Sequence, residues 1–163
     1  MGAKRGAGGK GRNKKTQING GCMCGAVRYE TKGQPFSVTH CHCESCRKHT
    51  GAPVVTLAGF LKDQVSFSGE ERSLYESSPG AIRAYCDRCG TPLTWEGDGG
   101  EIGMIVELHL STFDDPAALP PTAHAFYPER LAWFDIADDL PRYDGFAELS
   151  TLLCHGPAGE SDS

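Results

Sequence analysis

No apolar run in this chain approaches the roughly 20 residues that a membrane-spanning helix needs, so a transmembrane protein is not expected. No apolar stretch follows the basic N-terminus, which does not read as a secretory signal. Without one, a secreted disulfide scaffold is not expected, and the thiols should stay reduced in a cytoplasmic setting. Aromatic residues make up only 9%, and a 3.6-residue hydrophobic period is all but missing, which excludes a helical bundle. The first 17 residues contain no acid and no apolar side chain beyond alanine and methionine. Such a segment cannot bury enough surface to offset ordering, so residues 1–17 read as a disordered basic tail. No phosphate loop, dinucleotide fingerprint or Ser-His-Asp pattern stands out.

What remains is 163 residues with 21 glycines, 10 prolines and 8 cysteines, a length suited to one domain. Lys4, Arg5, Lys10, Arg12, Lys14 and Lys15 lie in the tail; the rest holds 10 basic and 21 acidic residues, a formal charge of −11. The hydrophobic period is two. Ile102, Met104, Val106, Leu108 and Leu110 alternate with Gly103, Ile105, Glu107, His109 and Ser111, which predicts a strand with one buried face. Shorter strands are expected at 27–30, 65–67, 81–85, 92–96 and 130–136, the last placing Leu131 and Trp133 on one face. Lys32-Gly33, Ser68-Gly69, Pro79-Gly80 and Asp115-Pro116 punctuate them. The one helical signal spans Glu44–His49 and stops before Gly51 and Pro53. The fold class is mainly β: small antiparallel sheets with short helical turns, over about residues 18–153, followed by a disordered tail at 154–163.

Seven cysteines fall into two groups, and Cys154 stands alone as a free thiol. Cys22-Met23-Cys24 and Cys86-Asp87-Arg88-Cys89 are separated pairs edged by glycine, which permits the tight turns that aim both sulfurs at one ion. Together they suit a tetrahedral four-thiolate zinc site with every position filled, hence structural. A disulfide between Cys86 and Cys89, or buried free thiols, are the competing readings. The second group is His40-Cys41-His42-Cys43-Glu44-Ser45-Cys46. Three thiolates leave one tetrahedral position open, the mark of a catalytic zinc. The alternatives are that His40 or His42 fills that position, or that the cluster is a metal-free redox site, and the second zinc site is expected to be partly empty on exposure to oxidants.

The stretches GGCMCGAVRYE (20–30), HCHCESCRKHTGAP (40–53), YCDRCGTPLTW (85–95), STFDDP (111–116), His124 and WFDIADDLPRY (133–143), in that order, resemble the glutathione-dependent formaldehyde-activating enzyme (Gfa) family, which includes centromere protein V. The resemblance covers residues 20–143. It implies a β-tent fold of small antiparallel sheets stapled by two zinc ions. The structural ion would sit on Cys22, Cys24, Cys86 and Cys89, and the catalytic ion on Cys41, Cys43 and Cys46. The implied activity is a carbon–sulfur lyase joining glutathione and formaldehyde into S-hydroxymethylglutathione. Ser111-Thr112-Phe113 replaces the family's usual Gly-Thr-Leu, and the basic tail lies outside the bacterial pattern.

On this reading a small thiol reaches the open position, loses its proton there and attacks an aldehyde carbon. Zinc with three thiolates is already negative, so nearby cations should moderate the charge. Arg47 and Lys48 are the candidate substrate-binding residues and Arg88 a further cation. His42, His49 and Ser45 could handle protons, His42 having the best position. His124, Asp114-Asp115 and Asp138-Asp139 read as structural groups, the acids as turns or caps. The alternative from a different class is a non-catalytic zinc-stapled module that residues 1–17 deliver to nucleic acid or another polyanion. A membrane partner is not expected.

Overall fold

In the computed structural model, residues 17–147 are described; residues 1–16 of the basic tail, Cys154 and the C-terminal tail lie outside them, while Gln17, expected in the tail, opens the first strand by pairing with Lys32. Among the described residues, ten strands form two sheets. The small sheet has the order β1 (Gln17–Gly21), β2 (Val27–Lys32), β5 (Val65–Gly69), all antiparallel. The large sheet runs β10 (Ala123–Ala125), β3 (Ser37–Cys41), β4 (Val55–Leu61), β9 (Met104–His109), β8 (Pro92–Asp98), β7 (Ala81–Tyr85), β6 (Ser73–Ser78). It is antiparallel except at its rim, where β10 lies parallel to β3. The one α-helix among the described residues, α1 (Glu44–Thr50), follows β3 and ends on Gly51 in the left-handed region. No described helix is long and apolar enough to cross a membrane.

Hydrophobic burial glues the sheets face to face. Val27 and Tyr29 of β2 meet Ala58 and Phe60 of β4 and Val106 and Leu108 of β9 in one core. Full burial of each large side chain there contributes about 1.5–3 kcal/mol. Close approach also fixes sequence. A Cβ on Gly20 would lie 2.3 Å from the Tyr29 ring and 2.5 Å from the Thr112 carbonyl oxygen, so β1 reaches this core only with glycine there.

Strand β9 departs from the expected one-sided burial. Its second face, carrying Ile105, Glu107 and His109, is covered as well; His109 is only 6% exposed. The physical reason is that α1 and the loops after β10 pack over the outer face of the large sheet, giving a second, smaller core of Cys41, Cys46, Val55 and Leu57 with Phe126 against it. The strand expected at 130–136 is a second departure. That segment turns, with Phe134 N–H donating to the Leu131 carbonyl, and Trp133 is 76% exposed. The position beside β10 is taken instead by the chain near Arg142, which bridges to His124.

Candidate metal centres and their surroundings

The first cysteine cluster joins the two sheets. Cys22 and Cys24 sit in the turn between β1 and β2, Cys86 and Cys89 in the turn between β7 and β8. Each turn closes on itself: Gly25 N–H donates to the Cys22 carbonyl at 3.0 Å, Gly90 N–H to the Cys86 carbonyl at 2.8 Å. Both glycines have positive φ, 77° and 72°, which side-chain-bearing residues rarely adopt. Met23 N–H donates to Thr91 Oγ1 across the two turns at 3.1 Å. The four sulfurs lie within 4.8 Å of one another, with Cys22–Cys24 at 3.5 Å and Cys24–Cys86 at 3.8 Å. Zinc–sulfur bonds of about 2.3 Å in a tetrahedron require about 3.8 Å between sulfurs, so the donor set fits. Further donors already point at the sulfurs: Val27 N–H to Cys22 Sγ at 3.2 Å, and Thr91 Oγ1 3.1 Å from Cys89 Sγ. The Thr91 hydroxyl and backbone hold Cys89 well down, to about 5.

The second cluster lies on the outer face of the large sheet. Cys41 ends β3, Cys43 caps α1 and Cys46 points inward from its first turn; their sulfurs also lie within 4.8 Å of one another. Cys46 N–H donates to Cys43 Sγ at 3.3 Å. Hydrogen bonds with the Cys41 and Cys46 thiols hold the Cys43 thiol far below its ordinary value and push Cys41 up. Among the described residues no histidine nitrogen or carboxylate joins the three sulfurs. His40 Nδ1 instead pairs with Thr56 Oγ1 at 2.9 Å.

His42 is buried and belongs to a chain of three groups. Its Nε2 lies 2.8 Å from His124 Nδ1, and His124 Nε2 lies 3.1 Å from both Asp138 carboxylate oxygens. If His124 donates to the carboxylate, its Nδ1 must accept, so His42 donates through Nε2. His42 Nδ1 is then a bare lone pair, and it is buried without a partner. Burial and the neighbouring His124 push His42 down to about 4, so it is neutral near pH 7. Asp138 caps the turn at Leu140, as its sequence context suggested, while also orienting His124.

Arg47, Lys48 and Arg88, the cations expected near the zinc or the substrate, each have a protein partner. Arg47 Nε donates to the His42 carbonyl at 3.0 Å and its Nη2 to the Glu129 carbonyl at 3.1 Å, clamping α1 to the loop beyond β10. Lys48 pairs with Glu44 on the exposed side of α1, and Arg88 with Glu70 at the surface. Arg83 was not singled out by the sequence. It is 4% exposed, and both terminal guanidinium nitrogens lie 3.7 Å from Cys46 Sγ, while its Nε donates to Ser77 Oγ. Arg83 stands opposite Trp95, and Trp95 opposite Glu107, in one row across β7, β8 and β9. Burial first, then the charge of Cys43, pushes Glu107 up to about 7, against the pull of Arg83. Trp95, Phe146 and Phe126 form an aromatic wall beside the cluster, with Phe126–Phe146 centroids 4.9 Å apart. Phe126 is the one described non-glycine residue with positive φ, 53°, a strained conformation held by hydrogen bonds on both sides.

Comparison with known proteins agrees with this geometry. The profile of the glutathione-dependent formaldehyde-activating enzyme family matches residues 17–129. A protein of Halomonas elongata, provisionally named a glutathione-dependent formaldehyde-activating enzyme, is 30% identical over 129 residues, covering 73% of this chain and 80% of its own. An uncharacterized lyase of Schizosaccharomyces pombe is 31% identical over 94 residues, covering 58% of this chain and 68% of its own. With its two cysteine clusters and this match, the chain belongs to the glutathione-dependent formaldehyde-activating enzyme family.

Proposed function

We infer that the protein is a zinc-dependent carbon–sulfur lyase that joins, and in reverse separates, a glutathione-type thiol and a small aldehyde such as formaldehyde. The observation that carries this reading is the contrast between the clusters: four convergent sulfurs at one, three at the other, with a buried arginine on one of the three. Cys22, Cys24, Cys86 and Cys89 would hold a structural zinc. Cys41, Cys43 and Cys46 would hold the catalytic one, whose chemistry is to make a bound thiol acidic. A set of thiols held for metal suits a reducing compartment, which supports a cytoplasmic location.

The protein groups divide the remaining work. Asp138, through His124, fixes the His42 tautomer, and His42 Nδ1 receives the thiol proton. Arg83 offsets the negative charge accumulated on the sulfurs. Arg47 holds His42 and the helix in place. Lys48, exposed on the same helix, can exchange Glu44 for a carboxylate of the incoming thiol. The aromatic wall shields the reacting carbon from water on one side. The test is the exchange rate between glutathione plus formaldehyde and their adduct, followed by nuclear magnetic resonance with the zinc-loaded protein. Acceleration over buffer that disappears in Cys46→Ser supports the reading. A fully metallated protein that leaves the rate unchanged contradicts it.

A further inference from the structure

Two imidazoles beside the second cluster, each with a buried Nε2 that has no partner, have no role in the scheme above. His109, on β9 opposite Leu57, is 6% exposed, and its Nε2 is buried without a hydrogen bond. His49, one turn of α1 beyond Cys46, has a buried, unpartnered Nε2 as well. The two rings face one another from helix and sheet, their centroids 6.1 Å apart. Leu57, across the ladder from His109, packs in the same small core as Cys41 and Cys46. Leaving such a group unsatisfied costs about 1–3 kcal/mol. Two of them on neighbouring rings between α1 and β9 therefore point to a polar atom that belongs there.

We propose that His49 and His109 donate, through Nε2–H, to the oxygen of the aldehyde, holding the oxyanion that forms as carbon and sulfur join. The proposal deepens the lyase reading and rests on it. The occupant must be small, because His109 is too buried for the bulk of a peptide-like thiol, and it must offer an acceptor. A carbonyl oxygen satisfies both. Burial, followed by the charges of His49 and Arg83, pushes His109 down to about 3, and burial and Arg83 also lower His49. Both rings are thus neutral donors at pH 7, and the positive charge of Arg83 favours a developing anion nearby. In the step itself the thiolate electron pair forms the carbon–sulfur bond and the carbonyl π pair moves onto oxygen. That oxygen then takes up one proton, matching the one released by the thiol, so no oxidant or reductant enters. Donors placed at a developing oxyanion act mainly in the transition state.

The experiment uses the full chain, loaded with zinc for kinetics and with cobalt for spectroscopy. His109→Leu and His49→Leu should each lower kcat about 10²–10³-fold, leaving the KM for glutathione within about threefold. His109→Gln, which keeps a donor, should recover to within tenfold of the parent. The glutathione-induced change in the cobalt spectrum should persist in all three. In histidine-labelled parent protein, the Nε2 signals of His49 and His109 should show the protonated shift. Parent-like kcat in both leucine variants, or unprotonated Nε2 on both rings, overturns the assignment while the lyase reading stands. If glutathione leaves the cobalt spectrum of the parent unchanged, the thiol reading falls and this one with it. Should His109→Leu fail to fold, His49→Leu and the glutamine variant decide the question.

Discussion

Arg83→Met removes a buried charge while keeping most of the side-chain volume. Both guanidinium nitrogens stand 3.7 Å from Cys46 Sγ. A full charge pair at about 4 Å is worth about 4 kcal/mol at an effective dielectric constant of 20. A zinc ion with three thiolates carries a net charge of −1, so about a third of a charge falls on each sulfur. The arginine then contributes about 1–1.5 kcal/mol to holding the loaded cluster, which corresponds to about tenfold in affinity. Its loss should weaken zinc at the second cluster by about tenfold, read from competition against a coloured chelator, and leave the first cluster unaffected. Arg83→Lys, with the charge but not the paired donors, should fall between. If Arg83→Met holds both ions as tightly as the parent, with unchanged turnover, the guanidinium is only a structural filler and the electrostatic argument fails.

Asp138→Asn should leave the protein folded but release the tautomer of the histidine pair; turnover should fall about a hundredfold or more, and equal turnover in variant and parent would remove His42 from proton transfer. Stability should depend on acid through His109. Its folded value, about 3, lies below its ordinary 6.5, so the unfolded chain binds a proton that the folded chain refuses between those limits. Stability is therefore complete above pH 6.5 and falls as the pH drops toward 3, by about 1.4 kcal/mol per pH unit for this group. Denaturant titrations of His109→Gln should show a slope smaller by that amount, and an identical slope would mean that His109 is not buried as a neutral ring.

The cysteine spacing carried the chemistry in the sequence, because ligand sets of one metal must be held by short turns that leave a local mark. The pairs at 22–24 and 86–89 and the triplet at 41–46 could be read directly, as could the short helix that presents Cys46. Strands β7, β8 and β9 were legible from their alternation. Strand β4 was not: VTLAGFL is buried on both faces and shows no period of two. At 130–136 the rhythm was present without a sheet position to receive it. The groups that complete the site were hidden for another reason. Arg83 on β7 and Glu107 and His109 on β9 stand on one sheet with β8 between them, and nothing local in AIRAY or VELHL announces which strands pair. Asp138 and His42 are 96 positions apart and meet only because β10 places His124 between them. Polar residues on the outer face of β9 were the available clue, since Glu107 and His109 alternate with Val106 and Leu108 in a strand read as solvent-facing on that side.

The central claim is that seven sulfurs divide four and three between two ions. Metal content per chain, measured by mass spectrometry on protein purified without oxygen, tests it most directly. The account predicts two zinc ions in the parent and one in the Cys41→Ser, Cys43→Ser and Cys46→Ser variants, the survivor held by Cys22, Cys24, Cys86 and Cys89. One ion in the parent, undiminished in all three variants, would contradict it.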